Sequence, residues 1–351
     1  MRTIALVNQK GGCGKTTTAI NLASCLALEG KGVLLIDLDP QGHCGLGLGI
    51  ESGEIEKSIY EVLLGRIKID DAIYVVKENL HIVLSDVVLS AFEQVMSRVE
   101  GREYQLAKCL GDLTHKYDYL VIDCPPSVGL LTFNGLMACS EVVVPVDPSF
   151  FSLHGLAKLF QTIALLQERG KRMFSVRILA TNIDKRTRYS HTVIRALTEN
   201  FPEQCFDTFI HSGTRLKEAA SQGKSIAEFD RNCRVFHDYR KLTLEIMNMD
   251  PVMAAAELPD IKQKPMEKTV VFDLEAPVEA DVRIAGDFNN WYPEPLFFSD
   301  ALEEPRWRKR FSLKPGAYRY KYLLDGQWIP DPDNDKTVDD SFGGINSLIN
   351  V

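Results

Sequence analysis

Along residues 1–250 the apolar positions come in short dense runs: TIALVN, GVLLIDLD, LHIVLS, YLVIDCP, EVVVPVD and VRILATN. None alternates cleanly with period two, so each predicts a strand covered on both faces, as in a parallel sheet. Between them, residues 15–29, 90–115, 152–169 and 213–222 carry helical patterns. The alternation predicts an α/β fold, a mostly parallel sheet flanked by helices. Past residue 250 the texture changes. Residues 251–267 hold three prolines and few large apolar side chains, and read as a linker. From 268 to 351 short alternating segments (TVVFDLEA, DVRIAGDF, WRKRFSL, YRYKYLL, SLINV) are separated by turns such as KPG and DG. They predict a small all-β sandwich module. The expected division is therefore 1–250, 251–267 and 268–351, with no internal repeat.

Composition narrows the function classes. The 351 residues are 45% hydrophobic and 25% charged, which suits two globular domains. No apolar run reaches the ~18–20 residues of a membrane span. The opening MRTIALVNQK passes straight into a strand pattern and predicts no secretion leader, so the expected location is the cytoplasm. Eight scattered cysteines, none spaced as CxxC, predict reduced buried thiols rather than disulfides or a zinc site. Residues 268–351 hold 10 Lys and Arg against 15 Asp and Glu, leaving 30 against 33 for the rest. Neither part is globally basic, so any nucleic-acid contact must come from a local patch.

The segment KGGCGKTTT, residues 10–18, follows the first strand and opens a helix. It ends as a phosphate loop should, with Gly14, Lys15 and Thr16, although Gln9 stands where the common pattern has its first glycine. Gly11, Gly12, Cys13, Gly14 and Thr17 complete a stretch whose backbone N–H groups can face a nucleotide phosphate at a helix N-terminus. Lys15 would reach the β- and γ-phosphates of ATP, and the Thr16 hydroxyl would hold Mg²⁺. Asp37 and Asp39 in LLIDLDPQG, and Asp123 in YDYLVIDCPPS, end apolar strands on the edge where open α/β sheets bind ligands. A single aspartate after a strand is ordinarily a cap or turn former; three on the edge that carries the loop point to a metal–nucleotide site. Lys10 is a second cation on the same short loop. It would repel Lys15 unless a highly charged anion lay between them.

KGGCGKTTT, DLDPQG, YDYLVIDCPPS and VVPVDPSFFSLHGLAKL, in that order, resemble the ParA/MinD family of deviant Walker ATPases, nearest the short Soj-like members. The resemblance covers residues 1 to about 250. It implies a homodimer closed face to face around two ATP molecules, with Lys10 crossing to the partner's phosphates. It also implies that Asp39 positions the attacking water, that Asp37 marks a first switch, and that Asp123 holds Mg²⁺ through water. Slow turnover, stimulated by another protein, is the family's habit.

Soj-like members bind DNA without sequence preference, and the matching positions here are Arg186 and Arg215, with Lys185, Arg188, Lys217 and Lys224 nearby. The alternative is an ordinary solvated charged surface. His211-Ser212-Gly213 replaces the family's Pro-Arg-Asn against the adenine, so His211 and Gly213 take the base-side positions. His211 either stacks on the base or serves the turn. No N-terminal helix-turn-helix is read, so sequence-specific operator binding is not expected; MAAAELPD lacks the basic face of a membrane helix, so no membrane partner is expected.

The tail reads IAGDFNNW, then LKPGAYRYKYLLDGQWIPDP, then GGINSLINV. It is similar to the glycogen-binding module of the AMP-activated kinase β subunit. That resemblance makes Trp291 and Trp328 platforms for sugar faces, Lys321 and Asn346 partners of hydroxyls, and Phe342 an apolar residue reaching through a helical α-glucan such as glycogen. Flat indoles suit pyranose faces. Trp307, mid-strand among charges, reads as sandwich packing. No acid–base pair of a glycosidase is placed, so the module should bind and not cleave. Together these predict a Mg²⁺-dependent ATPase that positions or partitions a cargo on nucleoid DNA and carries α-glucan. The alternatives are a glucan-sensing regulatory ATPase and a plasmid or chromosome partition protein whose tail binds protein. A metabolic phosphate-loop kinase lacks a visible substrate insertion.

Overall fold

The computed structural model describes residues 1–148, 152–170, 174–249, 268–299, 306–340 and 344–351. The chain divides into two units, Met1–Pro259 and Asp260–Val351. The expected linker, 251–267, lies outside the described residues.

In the first unit the order is β1 (Arg2–Leu6), α1 (Lys15–Leu28), β2 (Val33–Asp37), α2 (His43–Gly47), α3 (Ile59–Leu63), β3 (Ile73–Lys77), β4 (Leu80–Val83), α4 (Phe92–Val95), α5 (Gln105–Gly111), β5 (Tyr119–Asp123) and α6 (Leu130–Ala138). There follow β6 (Glu141–Val146), α7 (Ser152–Gly170), β7 (Ser175–Ala180), α8 (Arg188–Asn200), α9 (Thr214–Ser221), α10 (Ile226–Phe229) and α11 (Arg234–Asn248). The strands form one sheet in the order β3-β4-β2-β5-β1-β6-β7. All neighbours are parallel except β3 and β4. The central strands β2, β5 and β6 are buried along their whole length, as their unbroken apolar runs require.

Two expectations are corrected. IYVVK was not among the predicted strands, yet it forms β3, an edge strand turned back on β4 through Glu78 and Asn79. Its β-branched and aromatic residues suit a strand, but at the sheet edge Val75 and Lys77 stay exposed. Residues 90–115 are not one helix. They break into 3₁₀ turns at Val87–Ala91 and Arg102–Tyr104 and the short helices α4 and α5, with Gly101 at φ 67° between them.

Helix α1 starts where Gly14, at φ 90°, turns the chain, and it stops before Gly30 at φ 77°. Its small and aliphatic residues are buried on nearly every side because it lies between the sheet and α11. The Asn21 side chain ties it further by accepting from the Ile226 N–H at 2.7 Å. Arg2 fastens the same layers: its guanidinium forks onto Glu141 at 2.7 and 2.6 Å and donates to the Ile246 carbonyl.

The second unit is antiparallel throughout: β8 (Lys268–Leu274), β9 (Val282–Gly286), β10 (Glu294–Pro295), β11 (Phe297–Ser299), β12 (Arg306–Leu313), β13 (Ala317–Leu324), β14 (Gln327–Ile329), β15 (Thr337–Asp339) and β16 (Ile345–Asn350). One sheet runs β10-β9-β13-β16-β15 with β14 on β13, and the other runs β11-β12-β8. Phe272, Leu274 and Leu313 from one meet Val282, Ile284, Tyr320 and Tyr322 from the other in a common core. This is the expected sandwich. Trp307 packs on that core, with Phe298 at 5.6 Å and its indole N–H on the Pro277 carbonyl.

Candidate phosphate-loop and sugar-binding sites

The loop after β1 keeps its two lysines apart. Lys15 is 6% exposed and its ammonium donates to the Lys10 carbonyl at 3.1 Å. The Lys10 ammonium turns the other way, onto both carboxylate oxygens of Asp147 beyond β6. Asn8 sets this up by accepting from the Lys10 N–H and donating to the Pro145 carbonyl. Gly12, at φ 74°, and Gly14 take the left-handed turns that a side chain would strain. Gly11 and Gly12 are exposed, while Cys13 is buried and its carbonyl is held by the Thr181 hydroxyl at 2.8 Å. Thr16 and Thr17 lie on the first turn of α1, half-buried.

Behind the loop, register places Asp37 of β2 directly beside Asp123 of β5. Thr16 donates to Asp123 Oδ2 at 2.6 Å. Asp37 accepts from the backbone N–H groups of Asp39 at 2.9 Å and Cys44 at 3.0 Å. Asp39 is 9% exposed and accepts from the Gln41 N–H, which makes a turn of DPQG. Burial, then the neighbouring Asp123 charge, pushes the Asp37 carboxyl well above the usual carboxylate range. Burial likewise pushes Asp123 up to about 6, against the hydrogen bonds from Thr16 and Cys44.

These residues fit a bound Mg²⁺. Asp123 Oδ1 is fully shielded and has no hydrogen-bond partner among the described residues. Two buried carboxylates and a hydroxyl are hard oxygen donors, and a cation would relieve both the unpaired oxygen and the mutual repulsion. Residues absent from the sequence reading complete the arrangement: Asn8, Asp147, Thr181 and Cys44. Asp147 lies within VVPVDPS, but nothing in the string assigns it to Lys10.

His211 and Gly213 sit against α11. The His211 imidazole Nδ1 is 2.8 Å from Asp238, which also accepts from the His211 N–H, and Nε2 is buried without a partner among the described residues. Gly213 caps α9, where a Cβ would come within 2.7 Å of Val235. Helix α11 also brings the Tyr239 hydroxyl to 3.3 Å from Thr18, beside the loop.

Arg186 is exposed and paired with Asp184, and Arg215 is paired with Glu218 and Asp230. Lys185 lies over the Phe209 ring. A polyanion on this surface would have to displace those carboxylates.

In the second unit, antiparallel register puts Lys321, Leu323 and Trp328 on the sheet face opposite buried Tyr320 and Tyr322. Asn346, offset by one from core-facing Ser347, shares that outer face, though it is only 5% exposed. Trp328 is 47% exposed. Lys321 is ion-paired to Asp340 at 2.6 Å. Trp291 follows β9 at φ 59°, a left-handed conformation unusual for an aromatic residue, and its indole N–H donates to Asp287 at 3.0 Å. Asp287 also accepts from Arg319, so the indole is anchored rather than loose. Phe342 lies outside the described residues. No helix among the described residues is long and apolar enough to cross a membrane.

The AAA domain family model matches residues 1–176, and the model of the glycogen recognition site of AMP-activated protein kinase matches residues 272–351. The sporulation initiation inhibitor protein Soj of Bacillus subtilis is 39% identical over 69% of this chain and 97% of its own length. The chromosome-partitioning ATPase Soj of Treponema pallidum is 38% identical over 71% and 98%. Among solved structures, cobyrinic acid a,c-diamide synthase from Mycobacterium smegmatis with bound ADP and magnesium superposes with a TM-score of 0.62 at 30% identity, covering 70% of this chain and 94% of that one.

Proposed function

The chain belongs to the Soj/ParA family of ATPases and carries a tail like a glycogen recognition site, and from that premise we propose an ATP-driven positioning protein whose cargo or anchor is an α-glucan. ATP closes two copies face to face, the closed dimer holds nucleoid DNA through the Arg186 and Arg215 surface, and hydrolysis releases it. The tail tethers glycogen-like polymer. One linker joining two binding modules raises the local concentration of each partner at the other's site.

The observation that carries this reading is the division of labour between the two loop lysines. Lys15 stays buried on its own loop, and Lys10 is directed to the loop's rim on Asp147. A lysine so placed can exchange one anion for another when a second subunit presents its triphosphate. Lys15 and the backbone of Gly11–Thr17 hold the subunit's own phosphates. Thr16, Asp37 and Asp123 would hold Mg²⁺, which when bound neutralises charge on the β- and γ-phosphate oxygens. The ADP and magnesium carried by the related synthase support this choice of cofactor. Asp39, two residues beyond Asp37, orients the attacking water.

The test is co-sedimentation with glycogen and with DNA in the presence of ATP, for the wild type, Lys15→Ala and Trp291→Ala. Loss of DNA alone by the first variant and of glycogen alone by the second is expected. A wild type that pellets with neither polymer overturns positioning. Glucan-dependent turnover without DNA binding assigns a regulatory role instead, and a tail that ignores glycogen assigns it to protein contacts.

A further inference from the structure

The carboxylates behind the phosphate loop have a third companion that a magnesium site does not need. Cys44 lies in the first turn of α2, and its thiol donates to Asp123 Oδ2 at 3.4 Å while its backbone N–H donates to Asp37. One ligand atom from each of Asp37, Cys44 and Asp123 lies within 4.8 Å of the others, and all three residues are buried. Asp123 Oδ1 adds a shielded oxygen with no hydrogen-bond partner among the described residues. Leaving such an atom unsatisfied is costly, so the cluster holds acceptor capacity that protein atoms do not use.

The donor set decides the class of ion. Magnesium takes oxygens in an octahedron and gains nothing from sulfur, whereas zinc and its heavier congener take sulfur and carboxylate together. A Zn–S bond of ~2.3 Å and a Zn–O bond of ~2.1 Å meeting at the tetrahedral angle span about 3.6 Å. The sulfur–oxygen separation here is already 3.4 Å. We propose that the nucleotide-free protein binds a thiophilic divalent cation, Zn²⁺ or Cd²⁺, through Asp37, Cys44 and Asp123. As the metal–sulfur bond forms, the S–H bond breaks, its electron pair goes to the cation and the proton passes to solvent. The remaining coordination position is left to water. The ion occupies the carboxylates that Mg²⁺ would use, so it competes with Mg²⁺ and ties the start of α2 to β5. This rests on the metal reading of the carboxylate cluster but not on dimer, DNA or glucan binding.

Cadmium alone, titrated into the reduced, nucleotide-free, full-length protein, is the probe. Two signals are followed: the ultraviolet thiolate-to-cadmium charge-transfer band, and proton release in weak buffer. The wild type should exceed Cys44→Ala by one cadmium-thiolate equivalent and at least one released proton. Asp37→Asn should weaken that same step by about tenfold or more. Zn²⁺ should displace the cadmium at equimolar levels, and Mg²⁺ only in large excess. Thermal melting without metal checks each fold, and Cys44→Ser carries the comparison if the alanine variant does not fold. A band of equal size in wild type and the Cys44 variants overturns the proposal, as does a step that Asp37→Asn leaves unchanged. ATP turnover with Mg²⁺ alone, measured on the same wild-type sample, separates failure of this inference from failure of the ATPase reading.

Discussion

The Lys10 ammonium lies 2.7 Å from each carboxylate oxygen of Asp147, so a loop cation is held by the segment that follows β6 in the same subunit. If dimer closure carries Lys10 to the neighbour's phosphates, that pair must first open. The pair is partly exposed, with side chains 37% and 19% accessible, and such pairs contribute about 0.2–1 kcal/mol. Two such pairs open per dimer, one in each subunit, so Asp147→Asn should tighten dimerisation by up to roughly thirtyfold. Lys10→Ala should abolish it. Light scattering with a slowly hydrolysed ATP analogue reads both; an Asp147→Asn protein that dimerises more weakly than wild type removes the parking role.

Asp39 is nearly buried, yet its side chain bonds only the turn that follows it among the described contacts, not the Thr16–Asp123 pair. Asp39→Ala should leave nucleotide affinity within severalfold and lower turnover by about 100-fold or more, the range of a water-positioning or general-base group. Fluorescent-nucleotide titration and phosphate release measure the two separately. Lost binding with the fold intact would assign Asp39 to the loop's architecture.

What the sequence made legible follows from how local each signal is. The buried strands and the loop were readable because β1, β2, β5 and β6 carry dense apolar runs with polar residues only at their ends, and glycine marks the left-handed turns. β3 was passed over although its β-branched and aromatic residues favour a strand; it pairs antiparallel with β4 at the sheet edge. The long helix read over 90–115 failed where Gly101 breaks a pattern that periodicity alone continues. At the site, the motif residues were legible one by one. Their through-space partners were not: Asp147 for Lys10 lies 137 residues away, and Cys44 for Asp123 lies 79 away. The same holds in the tail, where Trp328 stood out but the Asp287 that clamps Trp291 became visible only in three dimensions.

Trp328 offers an exposed indole on the sheet face that also carries Lys321. If that face stacks on glucose rings, Trp328→Ala should cost about 2 kcal/mol, roughly thirtyfold in affinity for a soluble α-glucan, while the melting temperature barely moves. Trp291→Ala should lose affinity and some stability together, because it also removes the bond to Asp287. Calorimetric titration with linear maltooligosaccharides and thermal melts distinguish the two. Equal affinity of wild type and Trp328→Ala would place glucan elsewhere or nowhere.

The buried carboxylates make a pH prediction whose sign can be worked out. Asp123 titrates at about 6 in the folded protein, raised by burial, and Asp37 beside it is raised in the same direction. In the unfolded chain an aspartate titrates at about 3.9. Between those values the folded state holds protons that the unfolded state has released, so stability must fall as pH rises through that window. Below about pH 4 the penalty is absent, and above about pH 6 it is complete, at roughly 3 kcal/mol for Asp123 in the metal-free protein. Asp123→Asn keeps an oxygen for the Thr16 hydroxyl but cannot ionise. Its urea midpoint without metal should exceed that of the wild type at pH 7.5 and approach it near pH 4.5. Mg²⁺ binds the ionised carboxylates, so it should stabilise the wild type more at pH 7.5 than at pH 5 and should have little effect on the variant. Parallel wild-type and variant profiles across this range would mean that Asp123 carries no uncompensated charge in the fold.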